Sequence, residues 1–165
     1  MLQGEPVVLT DMLDCRERRA RKQDEYRNKY HTTIISFCMN IPGPIKTNDK
    51  IKKAFLSGKE ALFDALQKEN ILVLAQIEFD DKTGNEIILA VDYPADKIKN
   101  LTTEIEETHP FGRLFDMDVI GTDGEKLSRG VYRKCLICGC QAQECARSRK
   151  HTVAEMQAKI EEMLS

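Results

Sequence analysis

Between residues 32 and 120, four apolar segments rich in β-branched residues alternate with two segments whose apolar residues recur at helical spacing. The first kind predicts strands and the second predicts amphipathic helices. A turn of Asp, Lys, Thr, Gly and Asn residues at 80–85 separates the middle strands and predicts a hairpin. The resulting order is the ferredoxin-like βαββαβ pattern, an antiparallel sheet with both helices on one face. We therefore predict an α+β fold.

The predicted elements divide a single domain, residues 1–165, into three parts. An N-terminal helix, Asp11–Tyr30, lies in residues 1–30, the α+β core occupies 31–127, and a Cys-rich segment with a last helix occupies 128–165. A chain of 165 residues can bury such a core without disulfides. The predicted strands are Thr32–Met39, Ile71–Phe79, Glu86–Tyr93 and Arg113–Ile120.

The predicted helices carry their own boundary signals. Thr47 or Asn48 is expected to cap the first core helix, and Pro94 to begin the second. Gly58 is expected to interrupt the first core helix, because Ser57-Gly58-Lys59-Glu60 resembles the capping box of a new helix. The last helix is expected to begin at the capping box Thr152–Glu155.

The net charge of −2 conceals segments of opposite sign. Two segments are basic: residues 15–30 hold seven basic and three acidic side chains, and residues 128–151 hold six basic and one acidic. Residues 60–108 are acidic, with four basic and twelve acidic side chains. The basic segments are either solvated faces or two parts of a pocket for a polyanionic small molecule. The balance disfavours a nucleic-acid partner. No apolar run approaches a membrane span and the first residues do not resemble a signal peptide, so we expect no membrane partner and a cytoplasmic protein.

Asp116 and Asp118 form an Asp-x-Asp pair within the last predicted strand. Alternate side chains of a strand share a face, so the two carboxylates point the same way and their apolar neighbours point into the core. Those neighbours indicate a central strand, where an uncompensated acidic pair would be costly. Such a pair suits Mg²⁺, which one or two carboxylates and substrate phosphates commonly hold. The alternative is a chance pair on a solvated sheet face.

A cluster of cysteines follows the core. Cys135 and Cys138 form a C-x-x-C, and Cys145 and His151 lie close behind, which permits a Cys₃His zinc site. The alternative is a group of reduced thiols packed around a turn. A thioredoxin-like redox role is disfavoured, since no strand-to-helix C-x-x-C is evident.

The turn Pro42-Gly43-Pro44 precedes Lys46 and the N-terminus of a predicted helix. The two prolines fix the backbone, and the glycine permits a close approach by a ligand. A helix N-terminus also favours phosphate, so this turn is a candidate phosphate-binding element. The alternative is a stiff loop that leaves an inner strand.

Four ordered motifs span nearly the whole chain. They are Leu13–Arg19 with Gln23, Ser36–Lys46, Gly112–Val119, and a tail of Ser128-Arg129, Arg133–Cys138, Cys145–Arg147 and His151. Together they resemble the apo-citrate lyase phosphoribosyl-dephospho-CoA transferases, also called holo-acyl-carrier-protein synthases of citrate lyase. Cys140 is a thiol outside that family pattern.

The resemblance implies the substrates. The donor would be 2'-(5''-triphosphoribosyl)-3'-dephospho-CoA, and the acceptor a serine of the citrate lyase acyl carrier protein, the γ subunit. Attack of the serine on the α-phosphorus would release pyrophosphate. This nucleotidyl-type transfer needs a metal and cationic side chains to neutralise charge.

Within that chemistry, Asp116 and Asp118 would hold Mg²⁺, with one of them accepting the serine proton. The residues expected to neutralise the triphosphate or to shape its pocket are Arg16, Pro42, Gly43, Pro44, Lys46, Arg113 and Arg129. One rival is a sibling transferase for the malonate decarboxylase carrier protein. Another is a non-catalytic module whose Cys/His tail folds on zinc and binds a partner.

Overall fold

The computed structural model describes residues 2–130 and 132–165. These residues form helices and strands, and a short 3₁₀ turn, Gly112–Leu114, precedes the last strand. In chain order the elements are α1 (Leu9–Tyr30), β1 (Thr33–Met39), α2 (Asp49–Lys68), β2 (Leu72–Asp81), β3 (Gly84–Asp92), α3 (Ala95–Thr108), β4 (Phe115–Ile120), α4 (Ala142–Ser148) and α5 (Val153–Leu164).

The strands form one antiparallel sheet in the order β2-β3-β1-β4. The prediction of an α+β protein with an antiparallel sheet is therefore confirmed. The expectation that the Asp-x-Asp strand is central is wrong, because β4 lies at the sheet edge beside β1. Its sequence resembles a central strand because α3 covers this edge. Glu106 Oε2 accepts a hydrogen bond from the Met117 N–H (3.0 Å), and Lys99 Nζ donates to the Met117 carbonyl (3.4 Å).

Helices cover both faces of the sheet. On one face, Phe37 of β1 packs in a core cluster with Phe55 of α2 and Ile98 of α3. On the other face, Tyr26 of α1 packs against a second cluster that includes Ile34 of β1. Coverage on both faces explains why nearly the whole of β3 is buried and why its residues 87–91 are all apolar.

α2 is continuous through Gly58, so the predicted interruption is wrong. The glycine is needed for packing instead, since a Cβ there would lie 2.6 Å from Phe115 Cζ and 2.8 Å from Phe37 Cζ. The predicted cap is confirmed at Asn48, whose Oδ1 accepts a hydrogen bond from the Ile51 N–H at 2.9 Å.

Some element boundaries differ from the prediction. α1 begins at Leu9, because Asp11 Oδ2 accepts a hydrogen bond from the Val8 N–H (3.0 Å) and closes an earlier first turn. Arg113 lies in the 3₁₀ turn and not in β4. The prediction lacks α4, whose seven residues are too few to show a helical period. The described helices include none with the length and apolar character needed to cross a membrane.

Candidate active site

The aspartate pair projects from β4 away from the main core. The apolar residues that alternate with Asp116 and Asp118 are fully buried, whereas the two aspartates are partly exposed. The predicted alternation is thus confirmed. Across the sheet, Asp116 pairs with Cys38 and Asp118 with Ser36. Burial raises the pKa of Cys38 to about 12, so this thiol stays protonated beside the carboxylates.

The two carboxylates affect each other's charge. Burial and the adjacent Asp118 carboxylate raise the pKa of Asp116 to about 6. Lys126 Nζ lies 3.3 Å from Asp118 Oδ2 and partly compensates the negative charge. A divalent cation between the carboxylates would relieve the remaining repulsion, so the pair fits the oxygen-ligand chemistry of Mg²⁺.

A cavity of about 580 Å³ opens beside the aspartate pair. Arg113, Arg129 and Arg133 line it together with Asp116 and Asp118. The 3₁₀ turn supplies the first arginine, and the second basic segment supplies the other two. Burial lowers the pKa of Arg113 and of Arg133, but a guanidinium remains charged at neutral pH. The cavity thus combines an acidic pair with a group of fixed positive charges.

Glu106 of α3 is a buried acid in the lining of this cavity, with 4% of its side chain exposed. Its carboxylate pairs with Arg129 and lies 3.9 Å from Arg133 Nη2. A carboxylate shared by two guanidinium groups restricts where both can lie. Glu106 therefore positions two arginines and, through Met117, also binds the strand that carries the aspartates.

The first basic segment does not contribute to the lining of this cavity in the described residues. Arg19 Nε pairs instead with Glu86 Oε1 (3.0 Å), and Arg18 Nη1 pairs with Asp81 Oδ2 (2.6 Å). Cys15 Sγ donates a further hydrogen bond to the buried Glu86 carboxylate (3.0 Å). These contacts hold α1 against the β2–β3 hairpin.

Lys46, Arg16 and the turn Pro42-Gly43-Pro44 also lie outside the lining of the aspartate cavity. Lys46 Nζ donates a hydrogen bond to the Ile41 carbonyl (2.7 Å), and burial, aided by the Arg16 charge, lowers the pKa of Lys46. The turn contacts α5 closely. A Cβ on its glycine, at φ 87°, would lie 2.1 Å from Gln157 Nε2.

The predicted Cys/His set lies together in the tail. Cys135, Cys138, Cys145 and His151 each offer one ligand atom, and these atoms lie within 4.8 Å of one another. Cys140 is not a member of the group. The cluster could bind a metal such as zinc. It is the only group of three or more His, Cys, Asp or Glu with this geometry in the described part of the chain.

The sequence did not predict four charged residues of the cavity as site residues: Lys99, Glu106, Lys126 and Arg133. Arg133 lies in the second basic segment, so its charge was a usable signal. Glu106 has acidic neighbours at 104 and 107, and nothing local distinguishes it from a solvated helix residue.

An acidic pair beside several arginines, in a cavity large enough for a small molecule, could bind a phosphorylated ligand. The sequence model of the family "Apo-citrate lyase phosphoribosyl-dephospho-CoA transferase" matches residues 7–165. A protein of that name from Citrobacter koseri is 33% identical over 162 residues, which cover 96% of this chain and 88% of the relative. A probable transferase of the same name from Vibrio cholerae serotype O1 is 38% identical over 162 residues, covering 95% and 91%.

A third relative with this name, from Shigella boydii serotype 18, is 32% identical over 163 residues, covering 96% of this chain and 89% of the relative. The chain belongs to the apo-citrate lyase phosphoribosyl-dephospho-CoA transferase family. It is therefore a transferase, in agreement with the resemblance found in its motifs.

Proposed function

We propose that the protein transfers the 2'-(5''-phosphoribosyl)-3'-dephospho-CoA group from its triphosphate precursor to a serine of the citrate lyase acyl carrier protein, with release of pyrophosphate. The observation that carries this proposal is the single cavity that combines Asp116 and Asp118 with three arginines. The family name supports apo-citrate lyase as the acceptor.

The aspartates have the ligand and proton-transfer roles in this proposal. Asp116 and Asp118 would hold Mg²⁺, which when bound would neutralise phosphate oxygens. The serine hydroxyl must lose its proton as it attacks phosphorus. One of the two carboxylates would accept this proton as a general base.

The cationic residues of the cavity would bind the triphosphate. Attack at the α-phosphorus transfers negative charge to the departing pyrophosphate, and fixed guanidinium groups stabilise that charge. Arg113 and Arg129 have this role in our proposal, and the cavity adds Arg133 and Lys126. Arginine suits the task because its planar fork can bind phosphate oxygens in pairs.

The donor also contains a dephospho-CoA part beyond its triphosphate. We assign the predicted site residues that lie outside the cavity to the binding of that part. Arg16 and Lys46 form a basic pair next to the turn 42–44. They would bind the diphosphate within the dephospho-CoA part, and the stiff turn would fix the shape of that subsite.

Two finer assignments complete the proposal. The sheet order β2-β3-β1-β4, with α2 and α3 on one face, supports a ferredoxin-like arrangement of the core. The grouping of three thiols and one imidazole supports a structural zinc ion in the tail.

The proposed function is tested by mixing the purified protein with the donor, Mg²⁺ and one apo-carrier protein at a time. The molecular mass of the carrier is measured by intact-protein mass spectrometry, and pyrophosphate is measured in the same samples. We expect the citrate lyase carrier to gain the mass of the prosthetic group, with one pyrophosphate per modified carrier. Replacing the acceptor serine of the carrier with alanine is the matched control and should abolish the gain.

The two rivals give different results in this experiment. Faster modification of the malonate decarboxylase carrier than of the citrate lyase carrier would identify the sibling transferase. An unmodified carrier in every sample, with carrier binding that depends on the Cys/His cluster, would identify the non-catalytic module. Either result would overturn the proposal.

A further inference from the structure

The tail between β4 and α5 buries few side chains outside its Cys/His cluster. Among the described residues from 128 to 151, only Cys135 and Cys145 are buried. Its helix α4 has seven residues, too few to be stable on propensity alone. Segments of this kind commonly depend on a metal for folding.

The sulfur atoms have spacings suited to one small ion. Cys138 Sγ lies 3.5 Å from Cys145 Sγ. In a tetrahedral site with Zn–S bonds of about 2.3 Å, two sulfur atoms are about 3.8 Å apart. The four ligand atoms lie within 4.8 Å of one another, so only a small contraction would close them around an ion.

The surroundings of the cluster are those of metal ligands. The Ile137 N–H donates a hydrogen bond to Cys135 Sγ (3.5 Å), and Lys150 Nζ donates to Cys138 Sγ (3.7 Å). His151 Nδ1 lies 3.7 Å from Glu155 Oε2. Histidine ligands commonly direct their second ring nitrogen toward a carboxylate in this way.

The other ring nitrogen of His151, Nε2, supplies an independent observation. Nε2 is buried and has no hydrogen-bond partner among the described residues. A buried polar nitrogen without a partner costs free energy, unless another ligand uses its lone pair. Coordination to an ion shared with the three thiolates would remove that cost.

Two reciprocal hydrogen bonds connect the cluster to the cavity. Arg113 Nε donates to the Lys134 carbonyl (2.8 Å), and Arg133 Nη2 donates to the Gly112 carbonyl (2.8 Å). The Lys134 carbonyl and the Arg133 side chain, immediately before Cys135, are thus bound to the 3₁₀ turn. Any motion of the tail would change the positions of both arginines.

We propose that Cys135, Cys138, Cys145 and His151 bind one Zn²⁺ and that this ion holds Arg113 and Arg133 in place at the cavity. Zinc is favoured over harder cations because thiolate and imidazole are its usual ligands. Zinc binding stands independently of the proposed transfer function. The consequence for substrate binding rests on that function.

The test is the zinc content of the purified full-length protein, measured by inductively coupled plasma mass spectrometry. We expect about one zinc per chain, as in structural sites of this type. Cys138→Ser and His151→Ala should each lower zinc content at least about tenfold. Cys140→Ser is the matched control, since Cys140 is also exposed and lies two residues from Cys138 in the same loop. It should retain the metal.

Limited proteolysis of the wild-type protein keeps the proposal testable if a variant fails to fold. Stripping the metal with a chelator should expose residues 128–150 to cleavage, and added Zn²⁺ should restore protection. A wild-type protein without bound zinc, equal metal loss in Cys140→Ser, or an unchanged cleavage pattern would overturn the proposal.

Transfer kinetics separate this inference from the proposed function. With zinc removed, the KM for the donor should rise at least about tenfold, as expected when two phosphate-binding arginines lose their positions. Asp116→Asn should keep its zinc while losing transfer. A zinc-loaded wild-type protein that transfers nothing would contradict the proposed function and leave the metal site standing. A donor KM unchanged by zinc removal would overturn the positioning role alone.

Discussion

The carboxylate of Glu106 accepts a hydrogen bond from the backbone N–H of Met117 at 3.0 Å, midway in sequence between the two aspartates of β4. The same carboxylate pairs with Arg129 and lies 3.9 Å from Arg133 Nη2. One buried acid on α3 therefore binds both the strand that carries the negative charges and the side chains that carry the positive ones. Glu106 therefore contributes to the geometry on both sides of the cavity.

Glu106→Gln should destabilise the protein by about 1–3 kcal/mol, because two part-buried arginines lose their shared counter-charge. The free energy of unfolding is measured by urea denaturation. Glu107→Gln is the matched control: Glu107 is exposed, with its nearest arginine nitrogen at 4.0 Å, and should change stability by less than about 0.5 kcal/mol. Equal stabilities of the two variants would contradict the central role of Glu106.

Asp116→Asn and Asp118→Asn should each lower the rate of transfer to the carrier at least about 100-fold, because a neutral amide neither holds a cation nor accepts a proton as a carboxylate does. The rate is followed by the mass of the carrier protein. Asp64→Asn, at an exposed position of α2, removes the same charge elsewhere and should leave the rate unchanged. Transfer at the wild-type rate by both β4 variants would rule out this mechanism.

The raised pKa of Asp116 also predicts an effect of pH on stability. Burial and the Asp118 carboxylate raise this pKa from 3.8 to about 6, so the folded protein favours the protonated form. The contribution of protonated Asp116 to the free energy of unfolding is therefore fully present below pH 3.8 and is lost as the pH rises through 6.

Asparagine has no carboxyl group to lose its proton at high pH, so Asp116→Asn should be more stable than the wild type at pH 7.5. We expect the Tm to rise by about 2–4 °C, which corresponds to about 1 kcal/mol of unfolding free energy in a chain of this size. At pH 4 the difference should nearly vanish. Thermal denaturation in buffer without divalent cations is the measurement. A variant that is less stable than the wild type at pH 7.5 would contradict the sign.

Gly58→Ala should destabilise the protein by about 1–3 kcal/mol, although alanine is the better helix former. The reason is the 2.6 Å approach of the added Cβ to the Phe115 ring, in a fully buried core. Gly130→Ala is the control, since no heavy atom lies within 4 Å of its Cβ position. Chemical denaturation compares the two, and a stabilised Gly58→Ala would show that the rings can move aside.

Local patterns in the sequence identified most of the elements. The two-residue alternation of β4 placed Asp116 and Asp118 on one face, and side-chain capping signals located Asn48 and the start of α5. These features depend on residues at most four positions apart, so a single sequence contains them. The spacing of the cysteines also predicted the group that lies together in the tail.

Other expectations failed where distant contacts decide the outcome. The apolar residues of β4 suggested a central strand, but their burial comes from α3 and α2, and the strand is an edge. Gly58 resembled a helix break, but its small size accommodates two aromatic rings from β1 and β4.

The sequence by itself determined the elements, the orientation of the aspartate pair and the family, because each is encoded in local periods or in ordered motifs. Only the tertiary structure decided which charges meet. It brought Arg129 and Arg133 to a glutamate more than 20 residues earlier in the chain, and it paired Arg19 of α1 with Glu86 of β3. A charged side chain gives no local sign of its partner, since the pairing depends on how the helices pack on the sheet.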